Sequence, residues 1–271
     1  MTATGVRVGI AGLGAIGKSV AAALLQGIPG FVLAAVASRD PNKAAELLRD
    51  PPQPVRVCAL EALAEHADLV IECAPAALLP NIALPVLSAG KQLVVLSAGA
   101  LLSHPQLIEV ARRHRGQILV PTGALLGLDA VSAAAEGTIA SVTMITRKPP
   151  AGLAGAPYLV EHGIDVARIV EPTRVFSGTA REAARGFPAN VNVAVALSLA
   201  GIGPDRTTIE VWADPTVTRN VHRIEVDSDS ARFSMQIENI PSQENPRTGV
   251  ITARSVVALL RKMSAPLRVG T

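Results

Sequence analysis

The alternation of apolar and polar positions divides the chain into two parts with different rhythms. In the first, short apolar runs of strand length alternate with stretches whose apolar residues recur at helical spacing. Residues 6–10, 31–37, 55–59, 69–74, 93–97 and 118–120 read as strands, and 18–25, 41–49, 60–65, 80–89 and 106–114 as the helices between them. This repetition predicts an α/β domain, a doubly wound parallel sheet of the Rossmann type covered on both faces. After about Pro121 the period changes. Longer strand-like runs at 142–147, 173–177, 208–213, 222–227 and 231–240 are interrupted by helices at 180–184 and 191–199. They predict a second, α+β domain on a mixed or antiparallel sheet. An amphipathic helix at 252–262 ends the pattern and is expected to pack on the first domain.

Composition narrows what such a chain can do. Of 271 residues 49% are hydrophobic and 17% charged, a globular balance. Aromatic residues make up only 2%, so the core must be aliphatic and no nucleic-acid stacking platform is expected. The formal charge of +3 suits phosphate or carboxylate ligands but also an ordinary surface. Cys58 and Cys73 give neither a disulfide framework nor a zinc spacing, and the five histidines are scattered, so no metal is expected. No apolar stretch approaches the roughly 20 residues of a membrane span, and the N-terminus leads straight into a strand. The expectation is a soluble, cytoplasmic protein with a small-molecule ligand.

The sharpest local signal is the loop Gly12-Leu13-Gly14-Ala15-Ile16-Gly17, set between the first strand and a helix. A G-x-G-x-x-G in that position lets a pyrophosphate approach the backbone at Gly14, with the helix N-terminus behind it. Gly12, Gly14, Ala15, Ile16 and Gly17 are therefore expected to bind a dinucleotide, together with Ala74 and Pro75 where the 69–74 run ends. Cofactor choice is written after the second strand, where Ser38 and Arg39 precede Asp40. A hydroxyl and a guanidinium suit the 2′-phosphate of NADP, and Asp40 suits the bare ribose of NAD. The reading is NAD or NADP, with NADP accepted; a solvated Arg39 is the plainer alternative.

Four segments of the second domain concentrate polar residues and glycines. They are 121–129, with Ala124; 186–192, with Asn190; 214–222, with Arg219, Asn220 and His222; and 244–249, with Asn245, Arg247 and Thr248. Taken singly, each has an ordinary reading: Asn190 as a helix cap, His222 as a structural histidine, 244–249 as a turn.

Together and in order, Gly-Ala-x-x-Gly-Leu-Asp, Pro-Ala-Asn, Thr-Arg-Asn-x-His and Glu-Asn-Pro-Arg-Thr, following the glycine loop, resemble the L-aspartate dehydrogenase family over nearly the whole chain. The resemblance implies a Rossmann domain at 1–121 completed by 250–271, a substrate and dimerisation domain at 122–249, and a homodimer. It implies a catalytic histidine at His222 and dinucleotide contacts at Ala124 and Asn190. The implied reaction is reversible oxidative deamination of L-aspartate, through iminoaspartate, to oxaloacetate and ammonia. His222 suits the proton work because an ordinary imidazole titrates near pH ~6.5. Arg219, Arg247 and Thr248 are candidates for the two carboxylates, with Asn220 and Asn245 beside them and Lys148 behind. Leu126 stands where many members carry glycine and is expected to narrow or shift substrate preference. Two alternatives stay open: another oxidoreductase of this plan, akin to dihydrodipicolinate reductase (whose paired histidines are absent) or homoserine dehydrogenase, and a dinucleotide sensor without catalysis.

Overall fold

The computed structural model describes residues 5–188, 191–240, 242 and 249–270. The chain forms two compact units, one made of the residues up to Pro121 with Ala253–Val269, the other of Thr122–Thr252.

The first unit runs β1 (Val6–Ala11), α1 (Ala15–Gln26), β2 (Phe31–Ala37), α2 (Pro41–Leu47), β3 (Arg56–Val57), α3 (Leu63–His66), β4 (Leu69–Glu72), α4 (Leu79–Ser88), β5 (Gln92–Val95), α5 (Ala98–Ser103), α6 (Gln106–His114) and β6 (Gln117–Leu119). The six strands form a parallel sheet in the order β3-β2-β1-β4-β5-β6. Successive strand residues serve opposite faces. Val8, Ile10, Leu33, Ile71 and Val94 pack with Val20 and Leu24 of α1. Ala11, Ala35, Val70, Leu93 and Val95 pack on the other side with Leu63, Ile82, Val86 and Leu107. Strand order reverses at β1, which lies between β2 and β4, and an open sheet of this kind leaves a crevice at the carboxyl ends beside that point.

The second unit runs α7 (Leu128–Ala135), β7 (Ile139–Lys148), α8 (Pro157–Glu161), β8 (Thr173–Thr179), α9 (Ala180–Gly186), α10 (Asn192–Ala200), β9 (Thr207–Ala213), β10 (Asn220–Ser228) and β11 (Arg232–Asn239). Its sheet has the order β11-β10-β7-β9-β8 and is mixed, with β7 and β9 parallel and the other pairs antiparallel. One face is apolar: Val142, Met144, Ile209, Val211, Ile224 and Val226 pack against Val131, Ala183, Ala194 and Leu197 of the helices. α9 starts on a capping box, Thr179 with Glu182, the Thr-x-x-Glu arrangement that satisfies two end groups at once. The last helix, α11 (Val250–Ser264), contributes Ala253, Val256 and Leu260 to the layer over α1.

The differences from the sequence pattern have local causes. The strand read at 93–97 stops at Val95, because the N–H groups of Leu96 and Ser97 donate to the Glu72 carboxylate (3.0 and 2.9 Å). The run at 55–59 contracts to a two-residue edge strand. α5 and α7 are short and rich in Ala, and begin in segments to which the apolar pattern assigned no helix.

Candidate active site

The crevice beside β1 is a cleft of about 570 Å³. Its walls are the glycine loop after β1, Ser38–Asp40 after β2, the segment after β3, and Cys73, Ala74 and Pro75 after β4. Two glycines there are required by packing. Gly12 has φ +99°, and a Cβ on Gly17 would lie 1.9 Å from the Gly12 carbonyl oxygen, so α1 can enter only beneath a residue without a side chain. Gly14 differs: a Cβ there would meet nothing within 4 Å. The protein leaves room at the spot where a diphosphate would approach the backbone. Lys18 N to Gly14 O is the first helical bond, so the N–H groups of Ala15, Ile16 and Gly17 belong to the positive end of α1, and no acid occupies its first turn. These features fit a dinucleotide.

On the neighbouring wall, Ser38 Oγ accepts from Asp40 N (3.2 Å) and donates to Asp40 O (3.0 Å). Asp40 Oδ1 accepts from Asn42 N (3.0 Å) and caps α2. The hydroxyl and one carboxylate oxygen are thus engaged in the turn itself. Arg39 is exposed on this wall, and Lys43, one helical turn into α2, lines it too. Sequence reading missed Lys43; its signal was the i, i+4 spacing from Arg39 across a helix start.

Glu72 was also missed, as a carboxylate inside an apolar run. Fully buried, it accepts from Leu96 N, Ser97 N and Ser97 Oγ (3.0 Å) and ties the end of β4 to the turn after β5. Burial pushes its pKa up, against the hydrogen bonds that hold it down. Ala74 and Pro75 follow directly and owe their place on the cleft wall to this latch.

In the second unit the apolar sheet face turns polar at one end. Cross-strand register makes the levels explicit: Val142–Val226–Phe233 and Met144–Ile224–Met235 are apolar, and the next is Thr146–His222–Ile237. Beyond it come Lys148 on β7 and the pair Asn220–Asn239 on β10 and β11. Thr146, Lys148, His222 and Asn239 are all buried. His222 Nδ1 is 2.5 Å from Thr146 Oγ1, which leaves Nε2 as the nitrogen for chemistry. Asn239 Nδ2 donates to the carbonyl of Ala124 (2.9 Å) and fixes the 122–127 loop over this end. That loop approaches closely at Gly127, φ +69°, where a Cβ would lie 2.1 Å from Met235 Cε.

The expectation of an ordinary imidazole fails here. Burial first, and the Lys148 charge second, push His222 down to about 3, so it is neutral throughout the physiological range. Burial likewise draws Lys148 from 10.5 to about 8. Between those values the unfolded chain holds a proton that the folded chain has lost, so charged Lys148 costs stability at neutral pH. The stability of the wild type relative to Lys148→Met should therefore rise as pH climbs from about 8 to 10.5, in denaturant titrations across that range. A difference between the two that does not change with pH would contradict this account.

Of the remaining expected residues, Arg219 is exposed on the turn before β10, outside the buried end, and Asn220 opens that strand. Ala124 and Leu126 are half-buried, and Leu126 packs against the second unit's apolar cluster. Asn190, Asn245, Arg247 and Thr248 lie outside the described residues. The helix that Asn190 was read as capping begins at Asn192, with Val191 as its N-cap. Among the described residues no three His, Cys, Asp or Glu side chains are grouped to hold a metal ion, and no helix is long and apolar enough to cross a membrane.

Comparison with known proteins agrees with this arrangement. Residues 12–121 match the NAD-binding domain of homoserine dehydrogenase, and residues 129–263 the C-terminal domain of aspartate dehydrogenase. L-aspartate dehydrogenase 3 of Bordetella bronchiseptica is 62% identical over 97% of both chains. The L-aspartate dehydrogenase of Bradyrhizobium diazoefficiens is 61% identical over 98% of this chain and 94% of its own. The crystal structure of aspartate dehydrogenase from Thermotoga maritima, at 24% identity, shares the fold with a TM-score of 0.74 over 98% and 99% of the two chains. With a dinucleotide cleft on one unit, a buried histidine on the other and identity of this extent, the chain belongs to the L-aspartate dehydrogenase family.

Proposed function

We propose that the protein is a cytoplasmic, homodimeric NAD(P)-dependent L-aspartate dehydrogenase, converting L-aspartate reversibly to iminoaspartate and then to oxaloacetate and ammonia. The observation that carries the reading is His222, buried on Thr146 at the polar end of an otherwise apolar sheet face, in a chain of this family. A nicotinamide held here would supply the hydride acceptor for the substrate α-carbon. The chain supplies the rest. The glycine loop and the start of α1 take the diphosphate. The family resemblance assigns Ala124 and Asn190 to the dinucleotide as well. In its base form His222 carries its proton on Nδ1, donated to Thr146, and Nε2 accepts a proton from the amine or from the water that adds to the imine. Arg219, Asn220, Asn245, Arg247 and Thr248 are assigned to the substrate.

The test is appearance of reduced-nicotinamide absorbance when purified protein meets NAD⁺ or NADP⁺ with aspartate, homoserine or other amino acids. Aspartate should dominate; preference for another amino acid would overturn the reading, and tight dinucleotide binding without turnover would favour the sensor. Light scattering should give the mass of two chains. For the cofactor, Arg39 and Lys43 offer two cations to a 2′-phosphate. Arg39→Ala with Lys43→Ala should raise KM for NADP⁺ by about 10- to 100-fold, the loss of one or two charge-assisted contacts. KM for NAD⁺ should hardly move, and equal losses for both cofactors would remove the pair from discrimination.

A further inference from the structure

We propose that the side-chain oxygen of Asn239 accepts a hydrogen bond from the amino group of the substrate, so that this residue selects an amino diacid over a diacid without the amine. The inference rests on the aspartate reading above. Asn239 ends β11 and is only 2% exposed, and among the described residues no hydrogen-bond partner reaches its Oδ1. The orientation of the amide is settled by its other end. The Ala124 carbonyl can only accept, so Nδ2 must face it (2.9 Å) and Oδ1 must point away. An acceptor withdrawn from water without a donor is costly to keep, and a donor brought by a ligand accounts for it.

The placement says which donor. Asn239 pairs with Asn220 and Ile237 with His222, so Asn239 is the diagonal neighbour of His222 across β10 and β11, on the same face of the sheet. Diagonal neighbours stand about 7–8 Å apart, a span that one small group can bridge by a hydrogen bond to each side. The two carboxylates of an amino diacid bring acceptors alone and would leave Oδ1 unsatisfied, whereas its ammonium brings three donors. With one N–H on Oδ1, another is turned toward Nε2 of His222, the nitrogen assigned above to proton uptake. The amine left after that proton moves still has an N–H for Oδ1, so it stays in place.

The experiment uses the full-length protein loaded with NADH or NADPH, which leaves aspartate no hydride acceptor, and measures aspartate and succinate affinity by calorimetry. Succinate is aspartate without the amine, so the ratio of the two affinities reports the amine alone. In the wild type aspartate should bind about 10- to 100-fold more tightly than succinate. In Asn239→Ala that ratio should fall by about tenfold or more, and KM for aspartate should rise with it. Loosening of the 122–127 loop through the lost bond to Ala124 would weaken both ligands alike and cancel in the ratio. Affinity for the reduced dinucleotide should stay unchanged. An unchanged ratio in the alanine variant would overturn the proposal, even if both affinities fell. Equal affinities in the wild type would overturn it too, a result that needs no variant to fold. A loss confined to the dinucleotide would give the oxygen to the nicotinamide amide instead of the substrate. Were the wild type to hold the dinucleotide but neither bind succinate nor oxidise aspartate, the aspartate reading itself would fail and take the proposal with it.

Discussion

Replacing His222 by alanine is expected to lower kcat for aspartate oxidation by about two to four orders of magnitude while leaving dinucleotide affinity intact. The separation of effects follows from the architecture. His222 belongs to the second unit's sheet, whereas the cleft that fits the dinucleotide is lined by residues of the first. The neutral imidazole has the form a proton acceptor needs, and its contact with Thr146 occupies Nδ1. Thr146→Val removes that hydrogen bond and keeps the shape, so it should cost less, about tenfold in kcat, because the ring loses its orientation and not its lone pair. The pH profile is informative as well. A group already neutral above about 3 gives no ordinary histidine limb near pH ~6.5 in the free enzyme. If kcat/KM for the wild type fell with a midpoint there, the imidazole would be better solvated than its burial indicates. Near-normal turnover of the alanine variant would remove His222 from the mechanism.

The parts of this molecule that were legible in its sequence are those in which a local pattern has one physical solution. Short aliphatic runs such as 31–37 and 69–72 can only be buried strands when helical periodicity separates them. The glycine loop sits between a strand and a helix, where close packing forces Gly17. Thr-x-x-Glu at 179–182 announces a helix start. Contacts that arise from pairing distant segments were hidden. Lys148 and His222 are brought together by strand register, which no local spacing encodes. Asn239 closes an alternating strand and looks like an ordinary end residue, yet its amide reaches back to Ala124. Glu72 resembles an interruption of an apolar run until β5 is laid beside β4 and its two N–H groups turn toward it. The protonation state of His222 was misjudged for the same reason: burial and a neighbouring cation belong to the tertiary structure.

The glycine loop offers the second large effect, and a way to separate a glycine needed by the ligand from one needed by the fold. Gly14→Val should weaken dinucleotide binding by about a hundredfold or more, with thermal stability close to that of the wild type. The backbone at Gly14 has φ −75°, open to any residue, and the added side chain meets no protein atom within 4 Å. It would instead fill the space left for the diphosphate beside the first N–H groups of α1. Gly17→Ala should behave in the opposite sense. Its Cβ would run into the Gly12 carbonyl, so helix and loop must separate and stability should fall together with affinity. Fluorescence titration with NADPH, paired with thermal melts, reads both quantities. Unchanged affinity in the valine variant would mean that no diphosphate lies over Gly14, and the loop would be a packing turn. A stable valine variant without dinucleotide affinity, beside a destabilised alanine variant at Gly17, would assign the two glycines to ligand and scaffold respectively.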